Sequence, residues 1–544
     1  MMSIRGSSAP RVIPSIILKE GSKRSCEKEA QLYNLLASEV IFETVRTALG
    51  PLGYRKILVD TFGDTTITGD GATILSELEV EHPAAKLIVD AAKSQNKEVG
   101  DGVTTLVVFT HLLFKEADLL MKQGIHPSVI LDNYNEGMIK VLDSLKKELA
   151  VKIDLKNTDL LKKIVLSAIP LFLSAETREK LAEVSVKAVS KLVDKGIDNP
   201  RMFDEYLKTE KKSGGTVLDT QLVEGVALDK EIVHPAMPKR IENAKIALLD
   251  LPVEVKKTET DERLKFSNAK MIREFLKTEQ KMMSDIVDKI AGLGVNVVFV
   301  QKGIDDFAQY LLAKKGIMAL RRVKKSDMEK LSLATGAKIV SVLDDLSEDK
   351  LGFAGLVEER KIGGEKWTFV EKTPNNAVQT ILVRGENDKI TDEAERIVKN
   401  CISILRTLIE EPYVIPGGGA TEIFIAHKLV EMGRGGREGL VMEALSRAFE
   451  SLVKQIISNS GQDPDEVLTV LKAMHAEGRK TMCFDASQGK VVDAIEKNIL
   501  DSHKVKKTAY LSALETASML MRIDDIIMAA KMKPPKGKEG EEEY

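Results

Sequence analysis

Residues 98–109 read EVGDGVTTLVVF. A charged helix end runs into a Gly-Asp-Gly triplet, two adjacent threonines and an apolar run with helical character. Glycine lets backbone approach a ligand closely, and the N-terminus of a helix attracts anions. An acid there would repel phosphate unless a divalent cation stood between them. Asp101, between its glycines, therefore suits Mg2+ held against phosphate oxygens, with Thr104 and Thr105 as hydroxyl and amide donors.

Three other turns share this character: GPLG (50–53) between a helix and a strand, TGDGAT (68–73) with Asp70 at a helix N-cap, and PGGGATE (416–422) ahead of the helical run IFIAHKLVEM. Each alone reads better as an ordinary cap. GxxxxGK[ST] does not occur, nor does a kinase or dinucleotide-binding signature. The seven histidines have no metal-ligand spacing, and each reads as a core or surface residue.

Composition narrows the function class. Against 80 basic side chains stand 83 acidic ones, so no global basic field recommends a nucleic-acid partner, and 4% aromatics offer few stacking platforms. Cys26, Cys401 and Cys483 lie far apart, which argues against a disulfide framework or zinc site and for a reducing cytoplasm. The N-terminal apolar run Ile16 to Leu18 is too short for a signal sequence, and no stretch approaches membrane-spanning length.

Along 544 residues the pattern changes twice. Helices are expected over 31–49, 82–97, 103–123 and 128–149, with short strands at 57–60 and 65–68. From about 215 to 372, β-like runs such as KIALLDL (245–251) and VNVVFV (295–300) alternate with helices, a separate α/β region. Between those two runs lie the polar insert 254–270 and a helix carrying Met271, Phe275, Met282, Met283 and Ile290. That helix reads either as core or as an arm with an adaptable apolar edge. Helical character returns after about 391 and persists to 521–530, and the tail 531–544 is expected to be disordered. Two helical ends flanking an α/β middle suggest one discontinuous domain with another inserted into it.

Taken in order, LGPLG, GDGATI, HPAAKLIVDAAKSQNKEVGDGVTT and EEPYVIPGGGATE resemble the nucleotide-binding segments of group II chaperonins, the archaeal thermosome subunits and their eukaryotic cytosolic relatives. The resemblance runs from about residue 15 to 530 and includes GIHPSVI (124–130) and PKRIENAKIALLDLPVEVKKTET (238–260). It implies a mainly α-helical equatorial domain from 1–155 and 409–530, and a small α/β intermediate domain from 156–223 and 374–408. It implies also an α/β apical domain over 224–373, with a helical lid protrusion at about 252–285. It further implies stacked double rings of identical or homologous subunits that bind unfolded or partly folded polypeptide and assist its folding with ATP. Carried over by position, Leu49, Gly50, Pro51 and Gly53 would line the phosphate loop, and Asp101 would hold Mg2+. Gly102, Val103, Thr104 and Thr105 would meet the phosphates. Asp70, beside Gly71, would orient water or the γ-phosphate. Gly418 and Gly419 would border the nucleoside, and Asp501 would reach the ribose.

The chain departs from this family at several of those places. A second catalytic carboxylate normally follows the DEAER stretch, but ERIVKNCI places Asn400 there. An amide orients water without taking its proton, and loss of a general base is worth a factor of about a hundred to ten thousand in rate. Val103 replaces the first threonine of the usual GDGTT. Leu52 replaces a lysine, and Gly69 an asparagine. The segment SAIPLFLSAE (167–176), normally like TSxxxK, has no lysine. The expectation is an ATP-dependent chaperone subunit with weakened hydrolysis. The alternative is a nucleotide-binding structural subunit or holdase without a productive ATPase cycle.

Overall fold

A computed structural model describes residues 23–26, 28–254, 269–433 and 435–528. Residues 255–268 of the expected protrusion and the whole tail 531–544 lie outside the described residues.

The first core joins the two ends of the chain. Its axis is the helix Val103–Lys122, which starts at Gly102 in the left-handed region (φ 76°), where a side chain would be strained. That helix buries Leu106, Phe109, Leu113, Phe114, Ala117 and Leu120. It packs against Lys28–Val45 and Pro83–Glu98 from one end of the chain, and Gly436–Asn459 and His503–Met521 from the other. Phe109, Phe449 and Tyr510 meet there with ring centroids 4.5–5.5 Å apart. Each such pair adds about 0.5–1.5 kcal/mol beyond its buried area. Local signals set the helix ends: Gly124 and Pro127 punctuate the sequence, and the His126 side chain caps the helix Pro127–Glu148 by accepting from the Ser128 N–H.

The second core lies within 226–378. Its seven-stranded sheet runs Met318–Leu320, Val297–Val300, Arg240–Leu249, Gly352–Ile362, Glu365–Glu371, Gly225–Leu228, with Ile339–Val340 beside Arg240–Leu249. The first three pair in parallel and read as continuous apolar runs because helices cover them. Helix Ala269–Gly292 buries Met283, Val287 and Ile290 in this core, while Met282 is exposed. The described end of the methionine-bearing helix is therefore a core element.

The third core combines 153–207 with 377–414 and Leu500. Helices Ala175–Asp194 and Asp388–Glu410 pack on a sheet of Leu207–Ser213, Gln379–Gly385 and Gln221–Val223, and Thr158–Ala168 packs on those helices and on Leu500–Ser502. The fold is thus multidomain and mainly helical, with an α/β module carried between two helical ends.

One expectation fails at the C-terminus. The last helix ends at Met521, and Asp525–Met528 is a strand paired antiparallel with Lys23–Cys26. The apolar residues of MRIDDIIM suit either state, and the partner strand, some 500 residues away, decides it.

Candidate nucleotide site

The four turns converge on one cavity of about 650 Å3. The first follows the short helix Arg46–Ala48, and the side-chain amide of Asn459 donates to the carbonyls of Arg46 and Leu49, 2.8 Å each. The Leu171 N–H donates to the Pro51 carbonyl at 3.0 Å, so two distant segments hold this turn. In the second turn Asp70 caps the helix Gly71–Ser76. Its Oδ2 accepts from the Thr73 N–H (2.8 Å) and hydroxyl (2.7 Å), which leaves Oδ1 without a hydrogen-bond partner among the described residues. Gly71 touches the third turn so closely that a Cβ there would overlap the Thr104 hydroxyl.

In the third turn the Gln95 amide donates to the Asp101 carbonyl at 2.9 Å, and Asp101 Oδ1 accepts from the Gly102 N–H at 2.7 Å. Burial pushes the Asp101 carboxyl up to about 6, and the charges of Asp501 and Asp70 add to this against the Gly102 hydrogen bond and Lys506. In the fourth turn the Phe484 N–H donates to the Gly418 carbonyl at 2.9 Å. Strand Leu500–Ser502 pairs with Tyr413–Pro416 and sets Asp501 over Gly417, whose position a Cβ would occupy 3.2 Å from the carboxyl carbon.

Every residue carried over as a nucleotide, metal or catalytic site residue lines this cavity. Leu49, Gly50, Pro51 and Gly53 come from the first turn, and Asp70 and Gly71 from the second. Asp101, Gly102, Val103, Thr104 and Thr105 come from the third, and Gly418 and Gly419 from the fourth. Asn400 enters from helix Asp388–Glu410 and Asp501 from its strand. Gly69 also lines it, and Leu52 does not.

Sequence reasoning missed most of the basic groups here. Lys506 Nζ lies 2.5 Å from Glu422 Oε1 and 3.4 Å from Asp501 Oδ2, and the Tyr510 hydroxyl donates to the same Glu422 oxygen at 2.6 Å. Burial opposes the Lys506 charge, yet Glu422, Tyr510 and Asp501 outweigh it and hold its ammonium well above the ordinary range. Burial raises Asp501, with Lys506 only partly offsetting it. Where 167–176 lacks its lysine, Phe172 lines the wall with the Arg55 guanidinium 3.4 Å from its ring centroid, and Lys163 and Arg178 stand nearby on the same lining. Spacing gave one clue: Arg55 directly follows GPLGY, and Lys506 comes five residues after Asp501. Cys401 and Cys483 are free, and burial pushes both thiols up to about 12, which leaves them inert.

Among the described residues no three His, Cys, Asp or Glu side chains form a metal cage. Mg2+ takes one or two carboxylates and completes its shell with phosphate and water oxygens, and Asp101 and Asp70 are the carboxylates that could hold it here.

The TCP-1/cpn60 chaperonin family model matches residues 41–531. The chain belongs to this family. The chaperonin is 46% identical over 531 residues to a thermosome subunit of Methanocaldococcus jannaschii, covering 97% of each chain. It is 48% identical over 534 residues to one of Pyrococcus horikoshii, covering 97% of this chain and 96% of the relative. With thermosome subunit beta of Thermococcus kodakarensis it shares 45% over 535 residues, 98% of each. It is therefore a group II chaperonin subunit with the multidomain chaperonin fold. No helix among its described residues is long and apolar enough to cross a membrane.

Proposed function

We propose that this chaperonin subunit binds ATP with Mg2+ in the cavity, hydrolyses it slowly, and couples the cycle to binding and release of unfolded polypeptide in a cytoplasmic double ring. The observation that carries the reading is the convergence of four glycine turns and Asp101, from both ends of the chain, on one cavity. Asp101 anchors the metal, Thr104 and Thr105 offer donors to phosphate, and Asp501, steered by Lys506, takes the ribose. Bound Mg2+ would neutralise phosphate oxygens and lower the barrier to phosphoryl transfer. The free oxygen of Asp70 orients the attacking water. Asn400 can align that water but cannot accept its proton.

Assembly with identical or homologous subunits has its own support. The hairpin Lys56–Val59/Thr65–Thr68 exposes Ile57, Val59 and Phe62, the last 91% exposed. The ribbon Lys23–Cys26/Asp525–Met528 is likewise, among the described residues, a sheet of two strands. Two-stranded sheets are marginal alone and their open edges invite further pairing.

The second reading, a holdase without a productive cycle, draws on Asn400 and on the lysine-free wall at 167–172. A captured unfolded polypeptide discriminates between the two. Release by ATP but not by a non-hydrolysable analogue supports the coupled cycle, and equal behaviour with both supports the holdase. A single-turnover rate as fast as that of an intact carboxylate pair would reject slow hydrolysis.

A further inference from the structure

A second cavity of about 370 Å3 adjoins the first and shares Asp70, Gly100, Arg396 and Asn400 with it. These residues form a thin wall between the two spaces. Beyond the wall, Lys93 and Lys97 project from one face of helix Pro83–Glu98, and Lys399 comes from helix Asp388–Glu410. Asn96 and Ser403 supply further hydrogen-bonding groups, whereas the Thr73 and Ser76 hydroxyls donate to Asp70 Oδ2 and to the Thr73 carbonyl. Asp70 is the only acid in this lining, and its Oδ2 is spent capping its own helix. Lys399 is paired with Glu395 at 2.6 Å and Arg396 with Glu393 at 2.9 Å. Lys93 and Lys97 have no ion-pair partner among the described residues.

Such a space selects for a small, multiply charged oxyanion. Two unpaired ammoniums one helical turn apart repel each other until an anion bridges them. The Ser403 hydroxyl and the Asn96 and Asn400 amides add to the shell, and the lining has no aromatic side chain to stack on a base, with Ala72 its one apolar side chain. The wall itself suits the passage of an anion in this chain, because Asn400 puts a neutral amide where a carboxylate would repel one.

We propose that this cavity is an inorganic-phosphate subsite: phosphate cleaved in the first cavity crosses the wall at Asp70 and Asn400 and is held by Lys93, Lys97 and Lys399 before release. The inference rests on the nucleotide-hydrolysing reading and adds an exit route to it.

The test uses the full-length protein loaded with ADP and Mg2+, titrated calorimetrically with inorganic phosphate at constant ionic strength, for wild type, K93E/K97E and the milder K93Q/K97Q. Expected are ADP affinities within about twofold of one another, and phosphate affinity lower by about tenfold in K93Q/K97Q and more in K93E/K97E. Failure of ADP to bind wild type overturns the nucleotide reading itself. Normal ADP binding with phosphate affinity unaltered in both variants overturns the subsite alone. If sodium sulfate at matched ionic strength displaces phosphate from wild type, the site is an oxyanion site as proposed. If sodium chloride displaces it equally, the lysines act only as diffuse charge and the subsite is rejected.

Discussion

On one side of the larger cavity, the partly exposed Asp501 and Lys506 and the buried Glu422 and Tyr510 form a chain of polar contacts at 2.5–3.4 Å, set by the strand Leu500–Ser502 and two helices. On the other side stand Asp70, Asn400 and the wall Ser167–Phe172, which together offer one free carboxylate oxygen, an amide and no lysine. On the proposed reading the first side would hold a nucleoside in place, and the second would act on its phosphates. Packing and burial maintain the holding side, because any loss there leaves a charge stranded in the interior. Nothing in the fold requires a carboxylate at 400, since that side chain faces open space. Chemistry can therefore be lost from the second side while the architecture persists.

The largest expected effect breaks this asymmetry directly. Asn400→Asp restores a proton acceptor and should raise the single-turnover rate of ATP hydrolysis by about a hundred- to ten-thousandfold, read by rapid quench. ATP affinity, set by the holding side, should change far less. A variant no faster than wild type would move the defect to the missing lysine at 167–176.

On the holding side the expected effect is on stability. Lys506→Met strands Glu422 and Asp501 without a cation, and breaking such a buried pair costs about 3–5 kcal/mol, seen as a lower midpoint in denaturant. Adding Glu422→Leu should recover much of that loss, because an apolar replacement of both partners is often neutral. If Lys506→Met alone is neutral, the network is ornamental and the asymmetry argument fails.

These two sides were unequally legible from sequence. Asp101, Asp70 and the glycine turns stand out because glycine and acid at a helix start leave few local alternatives. Helix limits such as Pro127 and strand Thr65–Thr68 follow from punctuation and alternation. Lys506, Lys93 and Lys97 lie on helices, where a lysine reads as solvated surface. Only tertiary packing reveals that Lys506 is largely covered and that the other two border a cavity. Glu422 sits inside the quoted PGGGATE stretch, yet nothing in that string says that it is fully buried against a lysine 84 residues away. Pairing of Asp525–Met528 with Lys23–Cys26 is non-local in the same sense.

The smallest expected effect concerns the metal anchor. Asp101 has its folded value raised to about 6, above the ordinary carboxylate value of about 4. The native state therefore binds a proton more tightly than the unfolded chain. Ionisation costs stability as pH rises from about 4 to 6, and the cost is fully present above that window. Asp101→Asn should accordingly stabilise the nucleotide-free protein at about pH 7.5 by on the order of 1–2 kcal/mol, and by nothing near pH 4. The same substitution should abolish the Mg2+ dependence of ATP binding. In wild type that dependence should weaken about tenfold between pH 7 and pH 5, as protonation competes with the cation. Thermal melts and calorimetry over this range check both arms. A variant less stable than wild type at neutral pH would mean that the Gly102 hydrogen bond outweighs burial, and that Asp101 shapes its turn more than it awaits a metal.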